Sequence, residues 1–268
     1  MARGRAAVNA RAAPGASGVI ALRGPIWWQG GMILRRLAAL ALLALAAAPA
    51  RAETVRFDLI VAGITAGQLA LSAEESGGAY AVRGSARATG PARALVRKTY
   101  DGTARGAVAG GTLRPARYDE TETERGGTST AALRFEGGRP VGIELTPPPE
   151  PRPWDLDPGA VRGASDPLTV LWAMARPVAA GAACGTRHDI FDGRRLSRLT
   201  LSAPEPAGDG ALTCAARYER LAGYSPEELA ERDGARFALR YAPRADGRVE
   251  LVEMRAPTPL GDAVLRRR

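Results

Sequence analysis

From Thr54 onward, apolar and polar residues alternate with a period of two, the pattern of strands that bury one face. The pattern predicts strands at Thr54–Val61, with Val55, Phe57 and Leu59 on one face, and at Leu69–Glu75, Tyr80–Ala88, Leu113–Glu124, Thr128–Glu136 and Val141–Leu145. A later set comprises His188–Phe191, Leu196–Leu201, Ala211–Leu221, Arg236–Tyr241 and Val249–Met254. Between them fall Gly63 to Gly67, Gly77-Gly78, Gly126-Gly127, Gly137-Gly138, Asp192-Gly193 and Ala245-Asp246-Gly247. These are hairpin signals, because glycine reaches φ > 0 at little steric cost. Leu113–Glu124 is polar and reads as mostly exposed on one face.

Four stretches break the alternation. Pro91 to Lys98 suggests a helical turn or two. Pro147 to Pro158 is rich in proline and holds Trp154; each proline removes a ladder donor, so this is an ordered crossing loop and not a central strand. After Ser165-Asp166-Pro167, Leu168, Leu171, Trp172 and Ala175 fall at helical spacing, and Asp166 before Pro167 is a start signal. Ser225 likewise caps a short helix over Pro226–Arg232, and Pro257–Asp262 reads as loop. The fold expected is mainly β: an antiparallel, strongly curved sheet or open barrel, with the Pro167–Arg176 helix packed against its concave side.

The first 52 residues do not share this pattern. Met32 opens a basic stretch, Arg35-Arg36, followed by an apolar run from Leu37 to Ala48, then Pro49 and Ala50-Arg51-Ala52. That is the layout of a signal peptide over 32–52, cleaved between Ala52 and Glu53. The run is too short to span a bilayer, which takes roughly 20 residues, and no later segment is longer and as apolar. Residues 1–31 read as a mis-called start or an extension, and 53–268 as one exported mainly-β domain, expected in the periplasm.

Removing the leader changes the charge. The whole chain has 37 basic and 28 acidic residues and a net charge of +9. Seven of the arginines and none of the acids precede Glu53, so 30 basic residues face 28 acidic ones and the net charge falls to +2. No basic cluster is evident in the mature part beyond Arg266-Arg267-Arg268, a tail that reads as solvated, so no nucleic-acid partner is expected. Lys98 is the only lysine.

Candidate chemistry is sparse. Export would let Cys184 and Cys214, the only cysteines, form a disulfide; a redox role would favour a close Cys-x-x-Cys pair, which is absent. His188 is the only histidine. A catalytic triad or a zinc site would have to be built on it, yet no Gly-x-Ser-x-Gly elbow and no second ligand accompany it. It reads as a surface strand residue. Asp119/Glu120 and Glu122/Glu124 alternate with Thr121 and Thr123 as on a solvated face. Asp155 and Asp157 beside Trp154 are the acids best placed for a sugar site, where an aromatic ring could stack. No phosphate-cradling loop or dinucleotide fingerprint is present, and no cofactor or metal is expected.

Several patterns occur together in order: Gly63-x-x-x-Gly67, Leu113-Arg114-Pro115, Asp166-Pro167-Leu168, Phe191-Asp192-Gly193-Arg194-Arg195, Cys214, Ala222-Gly223-Tyr224 and Thr258-Pro259-Leu260-Gly261. The set, over about residues 54–262, resembles the domain of unknown function 3108 family, exported proteins of Gram-negative bacteria. The resemblance implies an exported, mostly β protein and no particular activity. The sequence thus leads to a non-enzymatic envelope protein binding a lipid or other amphiphile, with Trp154 and Trp172 as candidates for the ligand face, although Trp172, on the apolar face of its helix, reads first as a core residue. A carbohydrate-active enzyme using carboxylates near Trp154, or a scaffold for an envelope protein partner, are the alternatives.

Overall fold

The computed structural model describes residues 51–95, 97–259 and 261–268. Residues 1–31 and all of the expected signal peptide except Arg51 and Ala52 lie outside the described residues. The rest forms one sheet of fifteen strands. They are β1 (Arg51–Val61), β2 (Ile64–Ser76), β3 (Ala79–Ala88), β4 (Thr99–Ala109), β5 (Thr112–Glu124), β6 (Gly127–Glu136) and β7 (Arg139–Thr146). The others are β8 (Ala164–Ser165), β9 (Arg187–Phe191), β10 (Leu196–Leu201), β11 (Glu205–Pro206), β12 (Leu212–Ala222), β13 (Gly234–Pro243), β14 (Val249–Thr258) and β15 (Gly261–Arg267). Three short helices accompany them: α1 (Ala92–Leu95), α2 (Pro167–Ala175) and α3 (Pro226–Glu231).

The topology is two meanders fused at one seam. From β1 the strands run in sequence to β7; on the other side β15, β14, β13, β12, β10, β9 and β8 follow, with β11 paired to β12. The first and last long strands therefore meet, Leu59 opposite Leu265 and Phe57 opposite Arg267. Every pairing is antiparallel except β8–β9, which is parallel. The two ends of the sheet come round to each other, making a nearly closed barrel. Ala164 N–H donates to Gly138 O across the gap at 3.1 Å, and the Gly193 turn lies against Leu133 and Leu145. The proline-rich crossing runs along this gap, from Thr146 at one mouth to Gly163 at the other, and buries Val161 in the core.

Eleven expected strands are present; two long ones were not expected. β4 fills the stretch after Lys98, and β15 occupies the tail. The basic end is not simply solvated: Arg266 bridges Glu253 at 3.1 Å, Arg267 bridges Glu250 at 2.9 Å and Arg268 bridges Asp58 at 2.7 Å. The loop expected over Pro257–Asp262 is instead the end of β14 and the start of β15, with Pro257 opposite Asp262.

Helix α2 fills the interior. Asp166 caps it, accepting from Thr169 N at 2.8 Å and from the Thr169 hydroxyl at 2.6 Å, and Tyr80 OH on β3 lies 2.6 Å from that hydroxyl. Leu168 reaches the β3 backbone at Gly84, where a Cβ would stand 2.6 Å from Leu168 Cδ1. At the other end Glu75 of β2 accepts from Trp172 Nε1 and from Arg176 Nη1, both at 2.8 Å. Around the helix, Phe57, Leu71, Tyr118, Leu133, Leu239, Tyr241 and Leu251 are buried, each worth about 1.5–3 kcal/mol for a large apolar side chain.

Cys184 and Cys214 form the expected disulfide, with a Cα–Cα distance of 5.9 Å. It ties the loop before β9 to β12. Replacing Cys184 with serine should cost about 3–4 kcal/mol. For a domain of this size that is a fall of roughly 6–16 °C in the oxidised protein's Tm. An equal Tm for wild type and C184S, measured without reductant, would remove the bridge from the list of stabilising features.

Asp166 supplies a pH test. It is fully buried, and burial raises its pKa from 3.8 to about 6, against the hydrogen bonds from Thr169 that lower it. The native state therefore holds a proton that the unfolded chain has released between about pH 4 and pH 6. The resulting stability is present below pH 4 and is lost as pH rises through 6, about 3 kcal/mol in all. Asp166→Asn keeps a capping side chain and carries no charge. The stability of D166N minus that of wild type should rise by up to that amount from pH 4 to pH 7. A flat difference curve from chemical denaturation would contradict this.

Candidate functional site

The strand ends define two mouths. One is framed by the β1–β2 turn, the β3–β4 loop, the β5–β6 turn, Pro147–Pro149 and the β9–β10 hairpin; the other by the glycine turns at 77–78, 110–111 and 137–138 and the disulfide loop. Helix α2 runs between them. Pro167, Leu168 and Leu171 line a cleft at the first mouth, and Ala173, Met174 and Arg176 line one at the second.

The Pro147 cleft has a volume of about 720 Å³, within the range of small-molecule sites, roughly 300–1,000 Å³. Leu69, Leu145, Leu168 and Leu171 form its apolar floor, and Pro147–Pro149 its lip. Its polar groups are Tyr100, Tyr118, Glu120, Glu122, Asp192, Arg152, Arg194 and Arg195. A β-bulge brings the two glutamates here. Arg105 pairs with Arg117, and Gly106 pairs with Pro115, leaving Ala116 extra. The extra residue reverses the alternation, so Leu113 and Pro115 before it and Tyr118, Glu120 and Glu122 after it face the same side. The expectation of a solvated acidic face is therefore corrected: Thr121 and Thr123 are exposed, whereas Glu120 and Glu122 are half-buried and line the cleft. Tyr100 OH and Tyr118 OH are 3.2 Å apart, and Tyr118 OH donates to Glu120. Burial holds the Glu120 carboxyl above its ordinary pKa. Lys98 bridges Glu122 at 3.0 Å and Glu124 at 2.7 Å.

The rim is held by side chains that sequence patterns had singled out for other reasons. Asp192 Oδ1 accepts the backbone N–H groups of Arg194 and Arg195 at 2.9 and 2.8 Å. Arg194 reaches Asp155 at 2.9 Å, and Arg195 reaches Glu228 at 2.6 Å. The Arg195 and Arg220 guanidinium groups both lie over the Tyr224 ring, 5.0 and 5.2 Å from its centroid, and Tyr224 OH meets Ser197 at 2.6 Å. Gly223 has φ +81°, and a Cβ there would lie 2.2 Å from Arg194 O.

Other expected site residues are placed differently. Trp172 belongs to no ligand face: it is 2% exposed, packed in the core with its indole N–H satisfied by Glu75. Trp154 is half-buried on the crossing loop, with the Arg152 guanidinium 5.6 Å from its ring. Both acids beside it have structural partners. Asp155 takes Arg152 and Arg194, which hold its carboxyl below the usual range, and Asp157 caps the turn at Gly159. His188 is not a surface residue: opposite Leu199 in the ladder, it is half-buried and lines the second cleft, of about 560 Å³. Its Nε2 is 3.2 Å from Thr186 Oγ1, and burial lowers its pKa while Asp189 opposes. Ala52 and Glu53 lie in β1, opposite Glu74 and Ala73. Among the described residues no cluster of three or more His, Cys, Asp or Glu side chains could hold a metal ion, and no helix is long and apolar enough to cross a membrane.

The family model "Protein of unknown function (DUF3108)" matches residues 55–205. The chain belongs to the DUF3108 family. The match takes in three patterns of the cleft and helix, Leu113-Arg114-Pro115, Asp166-Pro167-Leu168 and Phe191 to Arg195; Cys214 and Ala222-Gly223-Tyr224 follow it. No curated protein matches this DUF3108 chain. Among solved structures it is similar to a β-barrel-like protein of domain of unknown function DUF1849 from Brucella abortus, at 11% identity and a TM-score of 0.39, over 82% of this chain and 97% of that one.

The rim can be tested at Gly223. An alanine there meets both a positive φ and a backbone oxygen, so it must push the β9–β10 hairpin away. G223A should lose at least about 2 kcal/mol in urea denaturation. A loss below half of that would show that the hairpin and Tyr224 are not packed as described.

Proposed function

We propose that the protein is exported to the cell envelope and binds an amphiphile in the Pro147 cleft without catalysing a reaction. The observation carrying this reading is the cleft's division into an apolar floor of leucines on β2, β7 and α2 and a polar rim of tyrosines, acids and arginines. An apolar chain over Leu69, Leu145 and Leu171 would leave its head group among Tyr100, Glu122 and Arg152, which is how small-molecule sites combine burial with orientation. The leader-like order of residues 32–52 and the disulfide support an oxidising compartment. The structural duties of Asp155 and Asp157 weigh against the carbohydrate-enzyme alternative, since an acid held by two arginines is a poor proton donor.

The test is titration of a fluorescent fatty-acid analogue into the purified protein. Saturable binding is expected. Leu171→Glu and, separately, Leu145→Glu should each weaken it at least tenfold, because a carboxylate in the floor must be desolvated by the chain. Melting curves would confirm that both variants fold. Absence of saturable binding, or folded variants that bind as wild type does, would refute the reading.

A further inference from the structure

The Pro147 end carries a second feature, outside the cleft. The β3–β4 loop, with α1, and the start of the β5–β6 turn form a broad depression of about 1450 Å³ on the outer side of the rim. Five cationic side chains line it, Arg87, Arg93, Arg97, Lys98 and Arg125, against a single carboxylate, Glu124. Lys98 is spent on Glu122 and Glu124, and Arg125 donates to Ala94 O at 2.9 Å, which ties the loop to the turn. Arg87, Arg93 and Arg97 are exposed and have no ion-pair partner among the described residues. This concentration corrects the expectation that the mature chain has no basic cluster. It departs sharply from a chain whose remaining charges nearly balance.

An apolar residue stands beside the shelf. Ile64, at the start of β2, is 57% exposed, the highest value among the exposed large hydrophobic residues. Its neighbours fix it there: Thr89 N–H donates to Ala66 O at 2.9 Å, and the Gly90 Cβ position is 3.2 Å from Thr65 O. Unpaired guanidinium groups beside an exposed aliphatic side chain suit a surface that presents phosphate groups above hydrocarbon. A soluble acidic protein would match the charge but leave Ile64 without a purpose.

We propose that this end of the barrel docks on an anionic lipid surface, with Arg87, Arg93 and Arg97 on the phosphates and Ile64 entering the interface. Docking in this orientation turns the Pro147 cleft toward the bilayer. The shelf is separate from the cleft residues, so the proposal does not depend on what the cleft holds.

The experiment is co-sedimentation of the whole purified protein with vesicles of phosphatidylglycerol and phosphatidylcholine in equal parts, and with vesicles of phosphatidylcholine alone. Binding to the first and not the second, weakened by salt, is expected. The triple variant Arg87→Gln, Arg93→Gln, Arg97→Gln should bind roughly 100-fold more weakly, at about fivefold per cation. A control triple, Arg105→Gln, Arg114→Gln, Arg139→Gln, makes the same charge change on exposed residues at the opposite mouth and should bind as wild type does. Failure to bind the anionic vesicles, or equal loss in the two triples, would overturn the proposal. So would binding to soluble heparin without binding to vesicles. Fatty-acid titration of the same triple separates the two readings: intact cleft binding alongside lost vesicle binding assigns the shelf its own role.

Discussion

A barrel this wide has an interior that must be filled, and one nine-residue helix fills it. Helix α2 is too short to be stable alone in water, so its position depends on contacts at both ends. At its start the buried Asp166 carboxylate, Thr169 and Tyr80 form one hydrogen-bonded chain into β3. At its end Glu75 holds Trp172 and Arg176. The two anchors lie on neighbouring strands, β2 and β3, so the helix is attached to one wall and packs its apolar side chains against the rest. A charged group buried at the first anchor is unfavourable by itself, and that cost appears as the raised pKa of Asp166.

The same helix stands between the two clefts at the mouths. It supplies Leu168 and Leu171 to one mouth, and its end supplies Met174, with the following Arg176, to the other. The clefts differ in what closes them. The Pro147 mouth is bordered by a proline lip and by a hairpin held through side chains, Asp155 on Arg194 and Glu228 on Arg195. The other is bordered by a loop covalently tied to β12. Ion pairs of partly exposed groups are individually weak, and a disulfide constrains its loop far more. On this comparison the Pro147 mouth is held by the weaker ties.

Much of the architecture was legible in local pattern. Alternation located eleven strands, paired glycines marked their turns, and Asp166-Pro167 and Ser225-Pro226 marked helix starts that the caps bear out. What escaped has physical reasons. β4 reads Thr-Tyr-Asp-Gly-Thr-Ala-Arg-Gly-Ala-Val-Ala; its glycines and alanines bury too little to show a period of two. Gly102 and Gly106 are there for close approach, a Cβ at Gly106 standing 2.0 Å from Arg114 O. β15 and the residue after it carry three arginines, whose partners Glu253, Glu250 and Asp58 lie on the neighbouring strands β14 and β1. The extra residue at Ala116 is invisible without the partner strand, yet it decides whether Glu120 faces water or the cleft. Trp172 reads from its helical spacing first as core and only second as a ligand contact, and it is buried in the core.

The patterns that carried the family resemblance illustrate a wider point. Asp192, Gly193 and Gly223 each serve backbone geometry, through an acceptor for two N–H groups, a turn against Leu133 and Leu145, and a close approach to Arg194 O. From these patterns Pro167, Leu168, Asp192, Arg194 and Arg195 line the Pro147 cleft. A cavity must be held open against the tendency of apolar walls to collapse, and turns braced by hydrogen bonds do this where packing alone would close the space. The floor and rim side chains on which the proposed binding rests, Leu145, Leu171 and Arg152, lie outside those patterns.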